Sequence, residues 1–184
     1  MVGVAAGLGM TILYAAHNVL PVLAGRLEPM PLVGSTATLD GLRFIFAAFA
    51  DQLSSALTSA LLATAGVVAL ALALRHPVIG FVAAVVLFTP AVISGMFPGT
   101  TPRLDLAIGV GIISIFLVVI LRAGLLAAVA ALSTHFVLLR APITLDLSSW
   151  HAAAGLWLIA IVLACGLGGC YIARFGRGER VTTS

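Results

Sequence analysis

The residues from Leu104 to Leu139 form an apolar run with only two charged side chains, Asp105 at its start and Arg122 near its middle. A helix that crosses the hydrocarbon core of a bilayer, about 30 Å thick, needs about 20 apolar residues. The run is therefore too long for a single crossing. It predicts two membrane-spanning helices joined by a tight turn at Arg122 to Gly124.

The rest of the chain is equally poor in charge. Charged residues make up 8% of the 184 residues and hydrophobic residues 62%, whereas a soluble domain carries about 25% charged residues to cover its surface. Lipid is the solvent that such a sequence requires. The composition predicts an all-α integral membrane bundle with the lipid bilayer as its first partner. The net charge of +3 is too small and too dispersed to indicate nucleic-acid binding.

The same length criterion divides the whole chain into about six transmembrane helices that form one domain over residues 1–184. An interfacial helix is predicted over residues 41–52, where three Phe side chains accompany Arg43 and Asp51. The predicted spans cover residues 2–24, 53–74, 78–97, 105–121, 124–139 and 151–173.

The distribution of arginine predicts the orientation of the bundle. With six spans both termini lie on one side, together with five of the nine arginines and one acid, Glu179. Cytoplasmic loops carry an excess of basic residues. We therefore expect both termini in the cytoplasm. All nine basic residues are arginine, which fits a GC-rich bacterial genome, so we expect the membrane to be the inner (plasma) membrane of a bacterium. The five arginines are Arg75, Arg122, Arg174, Arg177 and Arg180.

Small residues recur at fourfold spacing, as in the closely packed interfaces of membrane helices. His135 continues one of these rows, four residues after its last alanine. The same spacing therefore places His135 toward the bundle interior, where an intramembrane ionisable group must lie. The rows are Gly3 with Gly7; Ser55, Ser59 and Ala63; Ala123, Ala127 and Ala131; and Cys165 with Gly169.

Catalytic and metal-binding motifs are not apparent in the sequence. No span contains Glu, so the paired or clustered acids of intramembrane metalloproteases are absent. We predict no catalytic residue, no metal site and no bound cofactor. Two chemical alternatives remain open. His135, His17 and His151 could supply axial ligands to a haem between helices. The polar face formed by Asp51, Ser55, Thr58 and Ser59 could line an ion path, although we expect its hydroxyls to bond back to the helix backbone.

The segment from Ala141 to Trp150 and the following helix resemble a known family. Its Leu-Asp-Leu-Ser-Ser-Trp sequence precedes a last span that ends near Tyr171. From about Leu39 onward the chain is similar to the carboxy-terminal multi-pass membrane region of bacterial serine/threonine protein kinases, of the type abundant in Acidobacteria. The chain departs from that family because it has no kinase domain, so no catalytic residue carries over.

The resemblance implies a non-catalytic membrane domain that anchors, or assembles with, a bacterial signalling protein such as a kinase. A haem-binding or redox membrane subunit and a small transporter component are the alternatives from other classes. An in-frame kinase coding region upstream would favour the first, and visible absorbance of the purified protein would favour the second.

Overall fold

The structure is a computed structural model that describes residues 1–25, 42–97 and 101–140, together with 156, 157, 159–164, 166, 168 and 171. Four long helices make up nearly all of the described chain, and each is long and apolar enough to cross a membrane. An all-helical, membrane-embedded fold is therefore confirmed. The helices are α1 (Val2–Leu23), α2 (Leu42–Leu74), α3 (Pro77–Met96) and α4 (Pro102–Arg140).

Helices α2 and α3 form an antiparallel hairpin with a two-residue connection. Arg75 adopts a left-handed backbone conformation with φ of 51°, and His76 is extended with φ of −138°. Pro77 then occupies the first turn of α3, where its missing N–H has no intrahelical partner to lose. The predicted break at Arg75 to Pro77 is confirmed.

Helix α4 is interrupted at Gly124, whose φ of 82° and ψ of 179° are not helical. Its two ends nevertheless meet neighbouring parts of α1, since Asp105 contacts His17 and His135 contacts Thr11. Thr11 and His17 are separated by about 9 Å of helical rise, whereas Asp105 and His135 would be about 45 Å apart along a straight helix. The chain therefore reverses at Gly124 into a first arm (102–123) and a second arm (125–140).

The α4 hairpin is the centre of the bundle, because it packs against α1, α2 and α3. Its interior side chains are fully or almost fully buried, while Leu126 beside the turn is 84% exposed. Such an exposed leucine is expected of a surface that faces lipid tails. The main buried hydrophobic residues of α4 are Ile112, Ile113, Phe116, Leu117, Val119, Ala128, Ala131 and Val137.

Helix α2 differs from the predicted arrangement. The sequence predicted an interfacial helix over 41–52 followed by a separate span over 53–74, but the structure has one continuous helix of 33 residues. Asp51 and Gln52 are polar without breaking the helix, and the first glycine of α2 is Gly66. Polarity alone therefore did not mark a helix boundary here.

The packed row of α2 is also shifted by one residue from the predicted row of Ser55 and Ser59. Ala56 and Ala60 are completely buried, whereas Ser55 is exposed and Ser59 is half-buried. Each residue advances a helix by about 100°, so a shift of one position turns the two serines away from the core. Ala63, the third member of the predicted row, is buried. The predicted pair of Cys165 and Gly169 in the last span lies outside the described residues.

Candidate functional site

The closest helix contact brings α1 against the second arm of α4. Gly3 and Gly7 lie against the carbonyl oxygens of Ala127 and Ala131, and a Cβ atom at either glycine would overlap with that oxygen. Only glycine allows two backbones to approach so closely. The Gly3–Gly7 row and the Ala127–Ala131 row, predicted separately from the sequence, thus form one interface. Ala123 is exposed and lies outside it.

His135 continues this interface and is 1% exposed, as its position in the alanine row predicted. Its Nδ1 lies 3.0 Å from Thr11 Oγ1, and Thr11 Oγ1 donates to the Gly7 carbonyl at 2.8 Å. A hydroxyl has a single proton to donate, so His135 Nδ1–H is the donor to Thr11. His135 Nε2 is then the acceptor nitrogen of the neutral ring. It is buried and has no hydrogen-bond partner among the described residues.

A second buried polar contact joins α1 to the first arm of α4. His17 Nε2 lies 2.6 Å from Asp105 Oδ1, and the two residues are 3% and 1% exposed. Thr101 donates to the same carboxylate oxygen at 2.9 Å. The ring of Phe97, at the end of α3, covers the imidazole with centroids 4.3 Å apart. We name this contact, His17 with Asp105, the α1–α4 polar pair.

The sequence does not predict this pair. From the sequence alone, His17 is a possible haem ligand and Asp105 is a residue at the start of a span. An ionisable residue inside a membrane segment normally has a polar partner, and Asp105 was the only described acid in α4 available to His17. That rule was the one sequence signal that could have suggested the pair.

The structure describes two of the three histidines of the haem alternative, His17 and His135, whereas His151 lies outside the described residues. His17 contacts Asp105, and His135 contacts Thr11 six residues earlier on α1. No group of three or more His, Cys, Asp or Glu that could hold a metal occurs in the part of the chain that the structure describes. Haem binding stays the alternative to the prediction of no bound cofactor, and spectroscopy can test it.

A polar cavity of about 450 Å³ opens where α3 and α4 end. All four helices contribute to its wall, and the charged residues Asp51 and Arg140 both line it. Its polar lining also includes Tyr14, Gln52, Ser55 and Ser59. The cavity therefore includes most of the polar face that the sequence placed beside Asp51. We name it the Asp51–Arg140 cavity.

The hydroxyl groups of α2 fall into two classes. Thr58 and Thr64 donate to the carbonyls of Ser54 and Ala60, four residues earlier. We predicted this bonding back to the helix for all hydroxyls of the Asp51 face. Ser55 and Ser59 do not follow it, because neither has a hydrogen-bond partner among the described residues. Their free hydroxyls line the cavity.

A larger and mostly apolar cavity of about 700 Å³ lies at the opposite end of α1. Its wall includes Met1, Phe49, Leu126 and Val162. The Ser133 hydroxyl on the same wall has no hydrogen-bond partner among the described residues.

Comparison of the chain with protein-family models, with curated proteins and with solved structures gives no match.

Substitutions of His135 separate a packing role from haem ligation. His135→Gln retains a donor and an acceptor, so we expect little change in thermal stability in detergent. His135→Leu loses the bond to Thr11, which should cost about 0.6 kcal/mol, the average for a hydrogen bond between membrane helices. Purified wild-type protein should show no Soret band. A Soret band that disappears in His135→Gln would contradict this result and establish the haem alternative.

Proposed function

We propose that this chain is a six-span, non-catalytic membrane domain that anchors, or assembles with, a bacterial signalling protein of the serine/threonine kinase type. The reversal of α4 at Gly124 is the observation that supports six spans best. It divides the longest helix into two arms of about 33 and 24 Å. With α1, α2, α3 and the helical residues between 156 and 171, the arms account for six crossings.

The anchoring role is supported by where the polar groups lie. The buried His17, Asp105 and His135, together with the half-buried Thr11, connect α1 to α4 and hold the bundle together. The described outer surface is largely apolar, with many exposed Leu and Val side chains. Such a bundle is suited to stable residence in the bilayer. The resemblance of the Asp146–Trp150 segment to kinase membrane regions supplies the proposed partner.

Fusions of a topology reporter test the six-span arrangement. Reporters placed after Arg75, after Arg122 and after Ser184 should all report the cytoplasm, because these positions follow an even number of spans. Reporters near Gly34, Gly99 and Leu145 should report the outside. If Arg122 and Gly99 report the same side, the first arm of α4 does not cross the membrane and the six-span proposal fails.

Membrane fractionation tests the anchoring role. A serine/threonine kinase encoded beside this chain, expressed alone, should be soluble, and co-expression with this chain should move it to the membrane fraction. The matched control is co-expression with the Gly7→Leu variant, in which α1 cannot approach α4. A kinase that stays soluble in the presence of the correctly inserted wild-type chain would overturn the anchoring proposal.

A small transporter component is the second candidate, because the Asp51–Arg140 cavity gives the bundle a polar opening between helices. Polar residues inside a membrane protein commonly mark pathways for substrates or ions. Uptake of radiolabelled solutes into proteoliposomes tests this function. Uptake by the wild type that is lost in Asp51→Asn would favour transport over anchoring.

A further inference from the structure

The Asp51–Arg140 cavity contains two opposite charges that do not neutralise each other. Both residues line the cavity, but His17 with Asp105 is the only ion pair within the described residues. Gln52, which is 7% exposed, donates to Asp51 Oδ2 at 2.9 Å. That bond holds the carboxylate in place and leaves Oδ1 without a described partner. A fixed anion and a separate cation thus lie in one cavity.

Three hydroxyls add neutral hydrogen-bonding groups to the same cavity. Ser55, Ser59 and Tyr14 line the cavity, and none of their hydroxyls bonds to another described residue. Each can donate one hydrogen bond and accept others. The three hydroxyls are therefore available to form hydrogen bonds with a polar occupant of the cavity.

The volume and the position of the cavity define what that occupant can be. A volume of about 450 Å³ lies within the range of sites for small organic molecules, about 300 to 1,000 Å³. Met96 and Arg140, the last residues of α3 and α4, both line it. The cavity thus opens at the end of the helices, at the level of lipid headgroups and dissolved solutes.

We propose that the Asp51–Arg140 cavity binds a zwitterion that carries a primary ammonium and an anionic group. The ammonium lies against the Asp51 carboxylate and the anionic group against the Arg140 guanidinium, with the three hydroxyls completing the contacts. The headgroup of an aminophospholipid and a small soluble zwitterion share this chemistry. The proposal concerns binding alone, so it depends neither on the anchoring role nor on transport.

Thermal unfolding and calorimetry of the full chain test the proposal with defined probes. Phosphoethanolamine represents a soluble zwitterion, and nanodiscs with or without phosphatidylethanolamine represent the lipid. Stabilisation by phosphoethanolamine identifies a solute site, and stabilisation by phosphatidylethanolamine alone identifies a headgroup site. Both outcomes support the zwitterion. Ethylamine and ethyl phosphate each lack one of the two charged groups. Each should bind at least tenfold more weakly, because a hydrogen bond to a charged group contributes about tenfold or more to affinity.

Variants assign the effect to the cavity. Asp51→Asn and Arg140→Gln should each weaken binding about tenfold or more, whereas Arg122→Gln, at an exposed arginine outside the cavity, should leave it unchanged. Ser59→Ala should weaken binding, and its neighbour control Thr58→Ala should not. Asp51 and Arg140 are exposed, so ligand-free unfolding should match the wild type. No binding of either zwitterion, or binding equally strong in all variants, would overturn the proposal.

Discussion

Removing one member of the α1–α4 polar pair should produce the largest loss of stability of any single polar substitution in this protein. Asp105→Leu leaves His17 buried without its carboxylate, and His17→Leu leaves the carboxylate buried without its imidazole. Breaking a buried ionisable pair on one side typically costs about 3–5 kcal/mol, because the remaining group keeps its desolvation penalty. Reversible unfolding in mixed detergent micelles measures this loss.

The double variant is the decisive control for that prediction. Replacing both partners by apolar residues of similar size is often nearly neutral, so His17→Leu combined with Asp105→Leu should recover most of the lost stability. Asp51→Asn, at an exposed acid, should change stability by less than about 0.5 kcal/mol. Additive losses in the double variant would show that the two residues are not coupled.

The second large effect is expected at Gly7. A Cβ atom there would overlap with the Ala131 carbonyl and approach the Thr134 Cβ to 2.7 Å. A carbonyl of the helix backbone cannot move aside, so α1 must shift away from α4. Gly7→Ala should cost about 1–3 kcal/mol, the usual range for an overpacked site. Gly7→Leu should cost more and should also separate Thr11 from His135.

Gly9 provides the matched control because it lies on the same helix two residues later and nothing lies within 4 Å of its Cβ position. Gly9→Ala should be neutral or stabilising, since alanine is favoured over glycine within a helix by about 0.5–1 kcal/mol. Thermal unfolding of the two alanine variants in the same detergent gives the comparison. Equal behaviour at Gly7 and Gly9 would mean that α1 does not pack on α4 through the Gly3–Gly7 row.

Local features of this fold could be predicted from the sequence because they depend on neighbouring residues. The break at Arg75 to Pro77, the turn that ends at Gly124 and the interior position of His135 follow from apolar length, helix-breaking residues and fourfold spacing. Each of these signals lies within a few helical turns. The membrane-embedded, all-helical class follows from the scarcity of charge together with the length of the apolar runs.

Features that depend on helix pairing were not predictable in the same way. His17 and Asp105 are 88 residues apart in sequence, and no periodicity relates them. The alternative rows of α2 could not be ranked, because serine and alanine are both small enough for close packing. The Asp51–Arg140 cavity is lined by residues of four helices. The polar face of α2 can be recognised in the sequence, but the sequence does not show that Arg140 of α4 lies in the same cavity.

The pairing of α1 with α4 also sets the order in which this protein can assemble. Synthesis completes Leu23, the last residue of α1, 117 residues before it completes Arg140 at the end of α4. At about 5–20 residues per second, the ribosome needs roughly 6 to 23 s for that interval. During this time the glycine row of α1 lacks its α4 partner, and His17 lacks Asp105 until that residue is made, 35 residues before Arg140. We therefore expect neighbouring nascent chains on one messenger to pair with each other through α1, a competing reaction that ends when the α4 hairpin is inserted.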